Sequence, residues 1–202
     1  MKRSLSVVPT LLVIALATAT ALMLSVPVTY AVPITFVTNL AGANEVLPVA
    51  SPGTGFATVV LDPTAQTIQI NVTFSGLTSP DVAAHIHCCA PLGTNVGVAT
   101  AVPAFPGFPL GVTSGSYSSA VFDLTQSTIY NPAFVTLQGG LPAAEAALIS
   151  GIQNGLTYLN IHTVNFGGGE IRGQLFATPE PSTFLLLGTG LAGLLLWRKR
   201  TP

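Results

Sequence analysis

The hydrophobic pattern divides the chain into two long uncharged ends and a middle of short apolar runs. In residues 67–74, Ile68, Ile70, Val72 and Phe74 alternate with Thr67, Gln69, Asn71 and Thr73. This is the period of an antiparallel strand with one face in a core. Asp62-Pro63-Thr64-Ala65-Gln66 reads as a hairpin connection to a strand at 56–61. Further apolar runs at 34–40, 83–89, 95–102, 117–124, 158–164 and 170–176 complete a set of about eight strands. Leu141, Ala144, Leu148, Ile149 and Ile152 fall instead on one helical stripe, with Pro142 in the first turn and Gly155 beyond the end. Residues 103–116, rich in Pro, Gly and Phe, read as a long ordered loop. The pattern predicts an all-β fold: an antiparallel, Greek-key-like β-sandwich or flattened barrel with one helical insertion.

The ends follow a different logic. Lys2 and Arg3 precede a stretch, residues 4–44, that carries no charge, and residues 11–24 are apolar apart from Thr18 and Thr20. A basic start, an apolar run of this length and the small-residue site Thr29-Tyr30-Ala31 make a secretory signal peptide over 1–31, cleaved after Ala31. An uncleaved membrane anchor is the alternative. At the other end, Pro179-Glu180-Pro181-Ser182 leads into the uncharged residues 184–197, closed by Arg198, Lys199 and Arg200. A helix over 184–197 reaches roughly 21 Å, short of the ~30 Å hydrocarbon core. Trp197 and the basic cluster favour a membrane interface with the tail on the cytoplasmic side. A short transmembrane helix and a transient sorting tail both fit. A buried core helix is disfavoured by the three cations directly after it. Residues 32–178 remain as one domain of ordinary size.

Composition narrows the function. Thirteen of 202 residues are charged, 6%, against roughly 25% in typical soluble domains. The 49% hydrophobic content excludes a disordered chain. Within 32–178, six carboxylates (Glu45, Asp62, Asp81, Asp123, Glu145 and Glu170) against one guanidinium, Arg172, leave about −5 before histidine. Such a domain repels anionic partners, and no basic stripe exists for nucleic acid.

Candidate chemistry rests on few residues. His85 and His87 share one face of their strand, opposite Ile86, and His162 lies opposite Leu159 and Ile161 in another. If those strands are neighbours, the three imidazoles converge on one ion. Neutral imidazole suits zinc or copper, with Glu170 or Glu45 as a further ligand. Ordinary hydrogen bonding of the rings to backbone, Asn160 or Glu170 is the competing account. Glu170 and Arg172 are also placed to fix the conformation of the histidine strands as a pair. Cys88 and Cys89 are the only cysteines. In an exported protein they imply an intermolecular bond, a metal ligand, a vicinal disulfide, or one buried and one inert thiol. No nucleophile elbow, phosphate loop or metalloprotease motif occurs, so no enzymatic activity is expected.

The segments Leu40-Ala-Gly-Ala-Asn-Glu45-Val-Leu-Pro48, Gly76-Leu77, His85-Ile-His87, Tyr158-Leu-Asn160-Ile-His162-Thr163 and Gly169-Glu170-Ile-Arg172-Gly173-Gln174-Leu175 resemble, in this order, the CHRD domain. That family has no assigned enzymatic activity. Its His-x-His is similar to the copper-binding strand of Cu/Zn superoxide dismutases, although three histidines are too few for a paired copper and zinc site. Pro179-Glu180-Pro181, the apolar run and the basic cluster resemble the PEP-CTERM sorting signal of bacterial surface proteins. That resemblance implies an exosortase-type sorting enzyme as partner and export to the envelope or extracellular matrix. The expected role is a structural or binding module there, with a matrix polysaccharide or protein as its partner. The alternative is a copper- or zinc-binding protein with a redox role.

Overall fold

A computed structural model of the chain describes residues 32–179 and residue 189. The expected signal peptide 1–31 with its cleavage at Ala31, the span 184–197 apart from Thr189, and Glu180, Pro181, Arg198, Lys199 and Arg200 lie outside the described residues. Pro179 is exposed where the domain ends. Among the described residues no helix is long and apolar enough to cross a membrane.

Nine strands form one antiparallel sheet: β1 (Ile34–Ala41), β2 (Thr54–Asp62), β3 (Thr67–Ser75), β4 (Asp81–Cys88), β5 (Gly115–Ser118), β6 (Phe122–Asp123), β7 (Thr157–Thr163), β8 (Ile171–Gln174) and β9 (Phe176–Ala177). The order across the sheet is β4-β7-β8-β1-β2-β3-β5, with β6 added to β3 and β9 to β1. Of the two expected architectures, a sandwich of two sheets is not formed among the described residues; the sheet curls as a half-barrel, nearer to the flattened barrel. The reason lies in β1, which pairs with β2 on one edge and with β8 and β9 on the other. The last strands thereby return to the first and join the two halves of the chain in one ladder.

The β2–β3 hairpin follows its sequence closely. Asp62 Oδ1 accepts from the Thr64 and Ala65 amides at 2.9 and 2.8 Å, and Gln66 takes φ 55°. The strands pair from Asp62↔Thr67 to Thr54↔Ser75. One face of the sheet is apolar: Phe36, Val59, Ile70, Ile86, Leu159 and Ile161 are all buried on it. Among the described residues no second sheet covers this face. Its cover includes residues between β6 and β7, with Leu124, Ile129, Phe134, Leu148 and Ile152 in the same core.

That connection holds two helices where one was expected: α1 (Pro132–Gln138) and α2 (Leu141–Gln153). The second matches the predicted stripe. The first is only seven residues long and contains Phe134, Val135 and Thr136, poor helix formers, so no periodicity betrays it. Its ends are nonetheless written in the sequence. Asn131 caps the Ala133 amide at 3.0 Å, Pro132 opens the first turn, and Gly139 closes it at φ 90°. The strand expected at 95–102 is replaced by irregular chain with isolated bridges from Val98 to His87 and from Thr100 to Tyr130. The strand expected at 117–124 is broken into β5 and β6.

Candidate metal centre

The condition on which the histidine site depended is met: β4 and β7 are neighbours. Their register pairs Ala83 with His162, His85 with Asn160 and His87 with Tyr158. Because side chains alternate along a strand, all three histidines emerge on the face opposite Ile86, Leu159 and Ile161. One ring nitrogen from each lies within 4.8 Å of the other two. The rings are not solvated as expected of a polar sheet face: His85, His87 and His162 are 5, 7 and 8% exposed.

The cover comes from the irregular segment after β4. Arg172 of β8, itself buried, places its guanidinium carbon 3.4 Å from the centre of the Tyr158 ring. Its nitrogens donate to Thr94 O at 2.8 Å and Asn95 Oδ1 at 2.7 Å. The Tyr158 hydroxyl lies 3.2 Å from both N and O of Val96. These bonds hold residues 94–96 out of a regular ladder, which accounts for the missing strand. They also bring the Val96 carbonyl to His87 Nδ1 at 2.8 Å, while Tyr158 stacks on the His87 ring at 4.5 Å.

The hydrogen bonds settle two tautomers. A carbonyl only accepts, so His87 Nδ1 and His162 Nδ1, which face Val96 O and Gly167 O at 2.8 and 3.0 Å, must both carry hydrogen. Each Nε2 is then an unprotonated donor of a lone pair, and both are buried without a partner. His85 has neither ring nitrogen satisfied. Burial, reinforced by the neighbouring His162 and His87, lowers the His85 pKa to about 4; the Pro103 carbonyl opposes this without reaching hydrogen-bond geometry. Burial likewise lowers His87 to about 4, against the Val96 carbonyl, and depresses His162 against the Gly167 carbonyl. The cluster is therefore neutral at pH 7, the state in which imidazole ligates metal.

The acids fall differently from expectation. Glu170 does not join the histidines. Its carboxylate accepts from Ser51 Oγ (2.6 Å), Thr78 N (2.8 Å), Thr78 Oγ1 (3.0 Å) and Thr163 Oγ1 (2.6 Å). Burial alone would raise its pKa, but these four bonds outweigh burial and hold it low. Glu170 has no lone pair to spare and Arg172 is occupied at Thr94 and Asn95, so the expected pairing of these two residues is not made. Glu45 lies instead beside Asn160 and Gly169, outside the three-histidine cluster. Burial raises its pKa to about 7, with Arg172 and Asn160 pulling the other way. Glu45 Oε1 and Asn160 Oδ1 are both buried without partners. Gly169, at φ 124°, leaves them room, since any side chain there would collide with both. A cavity of about 230 Å³ opens at Glu45, Asn95, Phe166 and Gly169.

The supporting roles of Tyr158, Asn160 and Arg172 were only partly visible in sequence. Period-2 spacing placed Tyr158 and Asn160 on the face of His162, but nothing local linked Arg172 to a loop 77 residues away.

These features define a mostly β domain, a curled antiparallel sheet with two helices, carrying a buried cluster of three histidines under a loop. The CHRD domain model matches residues 36–175, so the chain belongs to the CHRD domain family. The PEP-CTERM protein-sorting motif matches residues 177–200, the mark of an exported, surface-sorted substrate of an exosortase-type enzyme. Comparison with curated proteins and with solved structures found no similar protein.

Proposed function

We propose that this exported CHRD-domain protein binds one copper or zinc ion through Nε2 of His87 and His162 and a ring nitrogen of His85. The observation that supports this most is the set of buried, neutral imidazoles with unsatisfied nitrogens. Buried polar atoms are normally paired, and each unpaired one costs roughly 1–3 kcal/mol. A single ion satisfies Nε2 of His87, Nε2 of His162 and one of the two unpaired nitrogens of His85. The chemistry fits as well: two Nδ1–H groups already donate to backbone carbonyls, the hydrogen bond that orients a metal-bound imidazole and fixes its tautomer. Ligation requires modest contraction, from spacings of up to 4.8 Å to the roughly 3.3 Å set by metal–nitrogen bonds of about 2.0–2.1 Å. Glu170 is not needed for this set.

The test is metal loading of the purified protein with Zn(II) or Cu(II), followed by metal analysis. One ion per chain is expected, retained through dialysis and lost in His85→Ala. Equal, substoichiometric metal in both proteins would sink the proposal.

A second reading, a binding module for a matrix polysaccharide or protein, draws support from the open part of the same sheet face. There Phe56 and Phe176 stand exposed with Asn39, Asn44 and Gln174 around a cavity of about 430 Å³. The two readings use neighbouring parts of one face, which meet at Arg172.

A further inference from the structure

Cys88 and Cys89 form a disulfide between adjacent residues at the end of β4, directly after His87. Its two sulfurs differ in environment. Cys88 is buried in the core, whereas Cys89 is exposed. Both rest against α2: the Ala147 carbonyl oxygen lies 3.6 Å from Cys88 Sγ and 3.4 Å from Cys89 Sγ. Gly151, one turn further on, is the second part of the seat. A Cβ at Gly151 would lie 2.5 Å from Cys88 Sγ and 3.0 Å from Cys89 Sγ. Glycine is disfavoured inside a helix, and here its missing side chain is what admits the bonded sulfur pair.

We infer that Cys88–Cys89 is a thiol–disulfide exchange site open to external dithiols, and that its reduction weakens metal binding at the adjacent His87. The second half rests on the metal site proposed above. A thiolate of the external dithiol attacks exposed Cys89 Sγ. The Cys88–Cys89 bond breaks, and its electron pair leaves on Cys88 Sγ, which takes up a proton. The second thiol of the reductant then displaces Cys89 from the mixed disulfide. The products are two protein thiols and one oxidised, cyclic reductant. The Ala147 carbonyl is already placed to accept a hydrogen bond from a new thiol.

Coupling follows from space. Bonded sulfurs lie about 2.05 Å apart, whereas unbonded atoms rest at roughly 3.5–4.0 Å. The helix backbone at Gly151 closes one side and Cys88 is held in the core, so in the proposed coupling the sulfurs part by displacing residue 89 and the end of β4. Strand β4 transmits that movement to His87, whose Nδ1 and ring are held by Val96 and Tyr158.

The experiment compares the oxidised full chain with the chain reduced by dithiothreitol and desalted without oxygen. Zinc is the probe because it has no redox chemistry of its own. Maleimide labelling read by mass should add nothing to the oxidised protein, one group at exposed Cys89 after reduction under native conditions, and two once the reduced chain is unfolded. Zn(II) affinity, read by competition with a chromogenic chelator, should fall tenfold or more on reduction. Cys88→Ser/Cys89→Ser should reproduce the weaker value. A first group that needs denaturant overturns the exchange site, and equal zinc affinity in both states overturns the coupling. If neither state binds zinc, the metal reading fails and the coupling with it, while labelling still decides the exchange site.

Discussion

On the polar face of the sheet, three histidines and Glu45 are held away from their ordinary protonation, and in opposite senses. His85 and His87 fall from 6.5 to about 4, and His162 falls as well, chiefly through burial. Glu45 rises from 4.5 to about 7 for the same reason. For the histidines, the unfolded chain binds more protons than the folded one between pH 4 and 6.5, so their contribution to stability rises with pH across that window. For Glu45 the folded chain binds more protons between 4.5 and 7, so its contribution falls as pH rises there. Three groups oppose one. The metal-free protein should therefore gain stability from about pH 4 to 6.5 and lose slightly between 6.5 and 7. Glu45→Gln should steepen the rise and remove the late decline. Urea midpoints across this range check it, and a flat profile in both proteins would contradict it.

At the scale of elements, the site depends on a segment that sequence patterning misplaced. Residues 95–102 look like a strand because Val96, Val98 and Thr100 alternate with smaller residues. What prevents a regular strand is a tertiary bond from Arg172, remote in sequence, and such competition leaves no local trace. β7 was legible for the opposite reason, since Leu159 and Ile161 alternate with Tyr158, Asn160 and His162, and both faces found partners in place. α1 lies between these cases: Asn131, Pro132 and Gly139 suit the ends they form, but Phe134, Val135 and Thr136 between them show no helical stripe. Arg172 is thus a positioning residue, fixing the loop that supplies the Val96 carbonyl to His87. A lysine cannot donate as a planar fork to Thr94 and Asn95 while lying over Tyr158. Arg172→Lys should lower zinc affinity by about tenfold, the usual effect of losing outer-shell support, while keeping one-to-one stoichiometry. Unchanged affinity would mean that the loop holds the site without its anchor.

Over the whole molecule, the two ends carry most of the positive charge and the domain carries the negative. Five of the six cations, Lys2, Arg3, Arg198, Lys199 and Arg200, flank apolar end segments, and Arg172 alone lies in the domain. That separation made the sorting function readable from the order of charge and hydrophobicity alone. The sheet's closure onto β1 was not readable, because strand order depends on pairings far apart in the chain. The same closure makes the tail separable. The Thr178 amide bonds back to Thr35 O at 2.9 Å, and Pro179 beyond it is exposed. Deleting residues 179–202 therefore removes no described core residue, and the truncated domain should keep its melting temperature and its zinc stoichiometry. Its location should change: protein retained at the cell surface in the full-length form should appear in the medium. Surface retention of a folded, truncated chain would show that the domain itself holds the protein there, through its own binding face and not through its sorting signal.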